Sequence, residues 1–365
     1  MQNILIKGLG LIGSSLALVI KKAHPDYQIL GYDIDSASLN YAQQRGIIDK
    51  IATNFAAAAL QADVIILAAP AQVIISDLKT LANLPLKPHV LISDVGSTKQ
   101  AVIAAAQPLQ KRGITFIGGH PMAGSHKSKV TAGRTDLFEN AFYFLIPSIA
   151  PASSVSKLQD LLQAAHVKWL TVTPKQHDRI VGQISHLPHI VAAALVNQTQ
   201  QSLSDYPLGL RLAAGGFKSI TRIASSDPQM WSDILSTNRS LLIVQLQAYI
   251  EELLNIKKAL TQQDVSQITD FFNKAKVTRD HLGPEQLGSL PNFFDLFLNI
   301  PDQVGALAQI THLLSQAQIN LVNIHILEIR EDIDGVLQLT FSDASTQAQA
   351  AKLLKQSGYQ ILRRN

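Results

Sequence analysis

The chain has 365 residues, 47% of them hydrophobic and 16% charged, with a formal net charge of +4 and no cysteine. That length suggests two or three domains, and the high hydrophobic and low charged fractions allow sizeable cores and exclude a disordered chain; the missing cysteines exclude disulfides, thiolate catalysis and cysteine-ligated zinc or iron–sulfur sites. Basic residues are scattered, with no stripe of interleaved aromatics, which argues against nucleic-acid binding, and the mild positive balance suits a small anionic substrate.

In chain order, Asn3–Lys7 is a short apolar run that reads as a strand, followed by Gly8-Leu9-Gly10-Leu11-Ile12-Gly13 and a helical stretch from Ser14 to Lys22. This is GxGxxG between a strand and a helix. Gly8 makes the tight turn, Gly10 clears the backbone for a pyrophosphate and Gly13 lets helix and strand pack closely, while the helix N-terminus around Leu11 and Ile12 offers free N–H groups to the anion. A second strand, Gln28–Tyr32, ends at Asp33, twenty positions after Gly13. A carboxylate there accepts hydrogen bonds from ribose hydroxyls and repels a 2′-phosphate, so the cofactor expected is NAD rather than NADP. A secretory signal is not expected, because Lys21 and Lys22 follow the first apolar stretch directly and no small-residue cleavage site precedes His24-Pro25. No run reaches the ~18 apolar residues of a membrane span, and a cytoplasmic location is expected.

Ala62–Ala69 reads as a buried strand closed by Pro70, and Val90–Ile92 as another that leads into Ser93-Asp94-Val95-Gly96-Ser97-Thr98-Lys99. Ligands of open parallel sheets sit beyond the carboxyl ends of the strands, so Ala69, Pro70 and Ser97 are expected on the cofactor side. The strand Thr115–Ile117 carries the Gly-rich segment Gly119-His120-Pro121-Met122-Ala123-Gly124-Ser125 to the same edge, and its composition reads as a loop. Oxidising an alcohol requires a group that takes the hydroxyl proton, and a neutral imidazole suits that task near physiological pH. His120 is therefore the candidate base and Ser97 its candidate partner; the competing readings are a loop histidine bonded to backbone and a serine capping the helix that starts near Lys99.

After Leu170–Pro174 the alternation of strands and helices stops, and nearly everything to Lys276 has helical period. Val181, Ile184, Leu187, Val191 and Leu195 mark one face; Leu242, Leu246, Tyr249, Leu253, Ile256 and Leu260 form a seam suited to another helix, in the same subunit or in a dimer partner. Within this segment His186 and His189 stand on one helix without a carboxylate to complete a metal site, so no metal is expected and a polar pair facing substrate or nicotinamide is; a satisfied pair on the helix surface is the competing reading. Lys218 and Arg222 stand one helical turn apart, and Arg holds a carboxylate through two parallel bonds; an interhelical salt bridge is the competing reading. Asp280–Asn292 is rich in Gly and Pro and reads as a linker. Beyond it the pattern is βαββαβ: Phe293–Ile300, Gly305–Gln316, Asn320–Ile329, Val336–Phe341, Thr346–Ser357 and Tyr359–Leu362, with Asp302 as a cap. The expected domains are thus a Rossmann unit over 1–172, a helical unit over 173–284, a linker over 285–292 and a ferredoxin-like regulatory unit over 293–365.

The series GLGLIG, YDID, ADVIILAAP, SDVGSTK, GGHPMAG, SHLPH and TRIASSDPQMW closely resembles the prephenate dehydrogenase family, and the tail with FFDLFLNIPDQVGALAQI and INLVNIHI resembles an ACT domain. The resemblance implies NAD-dependent oxidative decarboxylation of prephenate to 4-hydroxyphenylpyruvate, on the route to tyrosine, by a homodimer with feedback from an amino acid, tyrosine foremost. It implies that His120 accepts a hydrogen bond from the ring hydroxyl beside Ser97, that His189 faces substrate and nicotinamide, that Arg222 binds a substrate carboxylate, and that Trp231 walls the site. Two positions depart from the family pattern: His126 where a glutamate is common, and Ser219 where an aspartate is common. Arogenate dehydrogenase is the nearest alternative, a β-hydroxyacid dehydrogenase a more distant one, and a non-catalytic NAD-sensing protein a third.

Overall fold

Ile4, Leu5 and Ile6 have no exposed surface, because a strand covered on both faces needs apolar side chains at successive positions, not alternate ones. The computed structural model describes residues 2–124, 129–206, 208–280, 294–301, 303–326 and 335–362, and it divides into two units, Met1–Ile250 and Glu251–Asn365. In chain order the first unit begins with β1 (Asn3–Lys7), α1 (Leu11–Ala23), β2 (Gln28–Tyr32), α2 (Ser36–Gln44), β3 (Lys50–Ile51), α3 (Phe55–Gln61), β4 (Val64–Leu67) and α4 (Ala71–Ala82). It continues with β5 (Leu91–Asp94), α5 (Gln100–Lys111), β6 (Thr115–Pro121), β7 (Phe142–Ile146), α6 (Ala152–Leu161) and β8 (Lys168–Thr171).

The eight strands form one sheet in the order β3-β2-β1-β4-β5-β6-β7-β8. The pairs from β3 through β6 are parallel, β7 runs antiparallel to β6, and β8 runs parallel to β7. One face buries Ile4, Ile6 and Val64 against α1 residues such as Leu16 and Ile20; the other buries Leu5, Ile65 and Leu67 with Ile74 and Leu78 of α4. The strand order reverses at β1, between β2 and β4, which puts the Gly8 turn at the crevice where such sheets bind ligands. This is the Rossmann architecture that the motif spacing predicts.

The same unit continues into α7 (Pro174–Val181), α8 (Leu187–Ser202), α9 (Gly215–Thr221), α10 (Pro228–Thr237) and α11 (Arg239–Thr261), and the boundary between the units falls inside α11; α12 (Val265–Asp280) follows. A capping box at Thr173 and Gln176 starts α7, with Pro174 in its first turn. Between α7 and α8 the backbone makes a π turn over Gly182–His186. Pro188 has no N–H to return to the carbonyl of Ile184, and its ring crowds that carbonyl, which favours the wider turn. The extra residue breaks the expected apolar face: Ile184 is 60% exposed, while Val181 and Leu187 are buried and His186 turns inward at 1%. The seam expected along α11 is likewise fully buried only at Leu242; Leu246, Tyr249 and Ile256 are half-buried, and Leu253 and Leu260 are exposed on the chain.

The second unit contains β9 (Phe294–Ile300), α13 (Ala306–Gln316), β10 (Asn323–Ile326), β11 (Gly335–Phe341) and α14 (Ala344–Gln356), with the antiparallel sheet order β10-β11-β9. Leu296, Leu298, Leu337 and Leu339 pack against Ile310, Leu314, Ala350 and Leu354. The expected last strand over Tyr359–Leu362 is a correction: it makes a single bridge, Leu298 to Ile361, with flanking backbone bonds to Asn299 and Phe297, too few to count as a ladder although its place beside β9 is the ferredoxin-like one. The expected linker 285–292, the Asp302 cap and positions 327–329 of the second expected strand lie outside the described residues; α13 follows Gly305, an N-cap without a side-chain bond.

Gly8 has φ +94°, and a Cβ there would lie 2.2 Å from the carbonyl oxygen of Ala68. Gly8→Ala is expected to destabilise the protein by about 1–3 kcal/mol from backbone conformation alone, with the clash adding to that. Urea denaturation of the two proteins checks it; an unchanged midpoint would show that the turn tolerates a side chain.

Candidate active site

The crevice above β1 is shaped for a dinucleotide. A Cβ on Gly13 would lie 1.9 Å from the Gly8 carbonyl oxygen, whereas one on Gly10 would meet nothing within 4 Å. Gly13 thus seals helix to turn, and Gly10 leaves open space. Gly10 is the N-cap of α1 without a side-chain cap, and no acidic residue stands in the first turn. The N–H groups of Leu11, Ile12 and Gly13, orphaned by helix geometry, are left for an anion. Asp33 sits at the end of β2, its Oδ2 accepting from Leu9 N at 2.6 Å and its Oδ1 from Asp35 N at 2.9 Å, so both oxygens are fixed beside the crevice with lone pairs remaining for ribose hydroxyls. Ala69 and Pro70 lie just past the end of β4, Pro70 as the N-cap of α4. These residues fit the adenosine diphosphate half of NAD.

His120 stands on β6, not in a loop: it pairs with Phe144 of β7. The glycines before it serve burial. A Cβ on Gly119 would lie 2.6 Å from the backbone oxygen of Asp94 and 2.8 Å from the Tyr143 hydroxyl, and one on Gly118 would lie 3.1 Å from Lys99 Cδ. The strand must be bare there to pass over a buried ion pair.

Two residues that the sequence reading did not single out complete the surroundings of His120. Its Nδ1 is 2.9 Å from His177 Nε2, and His177 Nδ1 is 2.8 Å from Asp178 Oδ1. Phe144 braces both rings, its centroid 6.3 Å from His120 and 5.0 Å from His177. His177 and Asp178 have no exposed surface. Asp178 also accepts from Lys99 N at 2.7 Å and Gln100 N at 2.8 Å, so it caps α5 across the chain. Ser97, the expected alternative cap, does not: α5 starts at Lys99 with no cap from its own segment's side chains.

Lys99 ties the parts together. Its Nζ, fully buried, bonds Asp94 Oδ2 at 2.6 Å and the carbonyl of Gly96 at 2.7 Å. Asp94 in turn accepts from Gly96 N at 2.8 Å and Gly119 N at 3.3 Å. Thr98 Oγ1 bonds Thr237 Oγ1 at 2.9 Å. Burial holds the His120 imidazole well below its ordinary pKa, with His177, Lys99 and His186 adding repulsion. Burial also lowers His177, against the pull of Asp178. Burial alone would raise Asp178, but hydrogen bonds from His177 and the backbone of Gln100 and Lys99 outweigh it and hold the carboxyl below the usual range.

A second cluster lies on the helical segment. His189 stacks on Trp231 with centroids 3.7 Å apart, and His186 meets the same ring edge-on at 5.9 Å. His189 Nδ1 donates to the Ser185 carbonyl at 2.9 Å, so in neutral His189 Nε2 is a free acceptor. Burial lowers its pKa, and the nearby Arg222 guanidinium lowers it further. Asn238 Nδ2 connects the clusters, 3.0 Å from the Asp178 carbonyl and 3.2 Å from His186 Nδ1. His189, Trp231 and Arg222 are thus brought together and joined through Asn238 and Asp178 to His120. No hydrogen bond among the described residues joins Ser97 to His120; Lys218 is exposed on α9, as is Ser219. His126 lies outside the described residues. The signal that could have found His177 and Asp178 is the adjacent His-Asp pair in the first helix after the sheet, whose helical period gave no hint that it faces the β6 edge.

Residues 16–171 match the family model for the nucleotide-binding domain of prephenate dehydrogenase, and residues 173–274 that for its dimerisation domain. Among curated proteins, prephenate dehydrogenase of Bacillus subtilis (strain 168) is 42% identical over 97% of this chain and 96% of its own length. Among solved structures, prephenate dehydrogenase from A. aeolicus in complex with hydroxyphenyl propionate and NAD+ has a TM-score of 0.69 at 30% identity, covering 77% of this chain and 98% of that one. Synechocystis arogenate dehydrogenase has a TM-score of 0.65 at 28% identity, covering 77% and 99%.

Three imidazoles shielded from water, His177 and His186 buried and His120 half-buried, make stability sensitive to acid. His120, His177 and His186 are lowered from 6.5 by burial first, His186 to about 4, while in the unfolded chain each protonates near its ordinary value. The unfolded state therefore binds more protons below pH 6.5, and stability falls as pH drops through that value toward about 4; the lowered Asp178 adds a further loss only below the ordinary carboxylate range. Urea midpoints at pH 7.5, 6 and 5 are expected to decline in that order, and a flat profile would contradict neutral burial.

Proposed function

The chain belongs to the prephenate dehydrogenase family, and from that premise we infer that it catalyses the NAD-dependent oxidative decarboxylation of prephenate to 4-hydroxyphenylpyruvate. The observation that carries the site assignment is the imidazole of His120 at the carboxyl edge of the sheet, its Nδ1 engaged by His177 at 2.9 Å. NAD held at the Gly8–Gly13 turn and Asp33 would supply the acceptor for the hydride of the carbinol carbon. His120 Nε2 takes the hydroxyl proton as that carbon becomes a carbonyl, with Ser97 sharing the hydrogen bond. The resulting dienone loses its ring carboxylate as carbon dioxide, and the electron pair left behind completes the aromatic ring. Aromatisation makes this step favourable without a metal. The phenolate oxygen then recovers its proton from His120, so turnover releases no proton.

Arg222 and Lys218 supply positive charge for the substrate carboxylates, with Arg222 as the bidentate anchor. His189 offers its Nε2 lone pair toward substrate and nicotinamide, and Trp231 is the wall on which that ring rests. Gly8, Gly10, Leu11, Ile12, Gly13, Asp33, Ala69 and Pro70 hold the cofactor. The substrate is anionic and the enzyme a homodimer, consistent with the dimerisation-domain match over 173–274 and the exposed apolar residues of α11. We take 1–172 as the NAD domain, 173–284 as the substrate and dimerisation domain, 285–292 as linker and 293–365 as an ACT domain that binds an amino acid, tyrosine foremost. A cavity of about 310 Å³ between Pro301, Gln303, Gly305, Ile326 and Gly335 supports that last reading by its size. The enzyme is assigned to the cytoplasm, with the NAD pool it draws on.

Steady-state rates with prephenate and arogenate, each with NAD and NADP, test the substrate and cofactor; faster turnover of arogenate would overturn the first. His120→Asn is expected to lower kcat by about 10²–10⁴-fold while NAD affinity, measured by fluorescence titration, stays near wild type. Because the base works deprotonated and burial lowers its pKa, kcat/KM is expected to stay on its plateau as pH falls past 6.5 and to decline only below it. Retained turnover in the variant would remove His120 from the mechanism.

A further inference from the structure

We propose that His177 and Asp178 are a positioning pair that locks His120 in its Nδ1–H tautomer and supports its charge during turnover, without carrying the proton away. The inference rests on the reading of His120 as the base, and it begins with what each atom can donate. A carboxylate only accepts, so the 2.8 Å contact with Asp178 Oδ1 requires a proton on His177 Nδ1. Neutral His177 then presents a bare Nε2. That nitrogen lies 2.9 Å from His120 Nδ1, which must therefore be the donor. Neutral His120 is left with its lone pair on Nε2, the atom that the chemistry needs. One carboxylate, two rings away, decides which nitrogen of His120 is basic.

The pair has no exit for a proton. His177 and Asp178 are fully buried, and the carboxylate is filled by His177 Nδ1, Lys99 N, Gln100 N and a longer contact from Gln100 Nε2 at 3.4 Å. This matches a reaction whose proton is borrowed from a hydroxyl and returned to the phenolate. When His120 is an imidazolium its Nδ1–H still points at His177, and the carboxylate behind partly offsets the buried charge. The other charged or titratable groups facing these rings are Lys99 from the loop before α5, Asp94 from β5 and His186 from the π turn.

Asp178 also caps α5, so its removal risks the fold; His177 is the cleaner probe. His177→Leu deletes the acceptor, whereas His177→Gln keeps an oxygen able to accept from His120 Nδ1–H. Histidine-labelled protein, with the ring nitrogens followed by NMR, is expected to show His120 protonated at Nδ1 in the wild type and in His177→Gln, and mixed tautomers in His177→Leu. The Leu variant is expected to lose kcat on the order of 10²-fold or more, the direction seen when an orienting carboxylate is lost from a triad. Its KM, NAD affinity and melting temperature should change little, the acid limb of its pH profile should move lower, and the Gln variant should recover most of the rate. Wild-type His120 protonated at Nε2, or a Leu variant with wild-type kcat and pH profile, would overturn the proposal. So would a rate loss that tracks a fall in melting temperature and is not rescued by Gln. If His120→Asn keeps its activity the base assignment fails instead, a result independent of the tautomer measurement.

Discussion

The site depends on one buried cation. Lys99 sends its side chain to Asp94 on the sheet and its backbone N–H to Asp178 on the helical segment, so a single residue fixes the ends of β5 and β6 and the start of α7. An ion pair without exposed surface is costly to assemble, and it persists because the ammonium is also bonded to the carbonyl of Gly96 and the carboxylate to backbone N–H groups. Removing one partner of such a pair costs about 3–5 kcal/mol, so positional accuracy is coupled to global stability here. The pair also acts at a distance. Burial first, with this ammonium adding repulsion, disfavours protons on His120 and His177, which keeps the proposed base unprotonated.

The helical segment contributes through an irregularity. A regular helix from Pro174 to Ser202 would leave the His186 and His189 side chains where a 3.6-residue period puts them. The π turn inserts a residue, turns His186 inward toward Asn238, and leaves His189 stacked on Trp231. Pro188 makes the turn favourable and Ile184 carries its consequence as exposed apolar surface. That stretch also has the length and hydropathy of a membrane span, but its inner face carries His177, Asp178 and His186 bonded to β6, to the start of α5 and to Asn238 after α10, which is the pattern of a helix packed against protein.

Much of this was legible in the sequence. β1 and β2 have the limits expected of them, because strands covered on both faces announce themselves as apolar runs and because glycine spacing punctuates the turn. The order of the C-terminal unit was readable for the same reason, except at Tyr359–Leu362, where a few residues of strand-like composition at a sheet edge make only a bridge. What the sequence hid is of another kind. The glycines before His120 read as a loop because Gly-rich segments usually are loops, and only the Lys99–Asp94 pair explains a bare strand. Ile184 broke the expected face because a π turn leaves no periodic signature. His177 and Asp178 were invisible because their meaning comes from α5 and β6, far away in sequence, and local pattern carries no information about such partners.

The two kinds of information meet in the proton. Triads that assist acyl transfer hand protons between substrate groups, and their base sits where leaving groups can reach it. A reaction that takes a proton from a hydroxyl and gives it back to the same oxygen has no need of a path to solvent, and an open path would let water protonate the base between steps. If His120 is the base as proposed, its place against Phe144, His177 and a saturated carboxylate answers that need at the cost of acid sensitivity. The same burial that lowers the imidazole and keeps it available as a base makes the fold lose stability when those rings are forced to charge. Function and the acid sensitivity of the fold therefore depend on the same histidines.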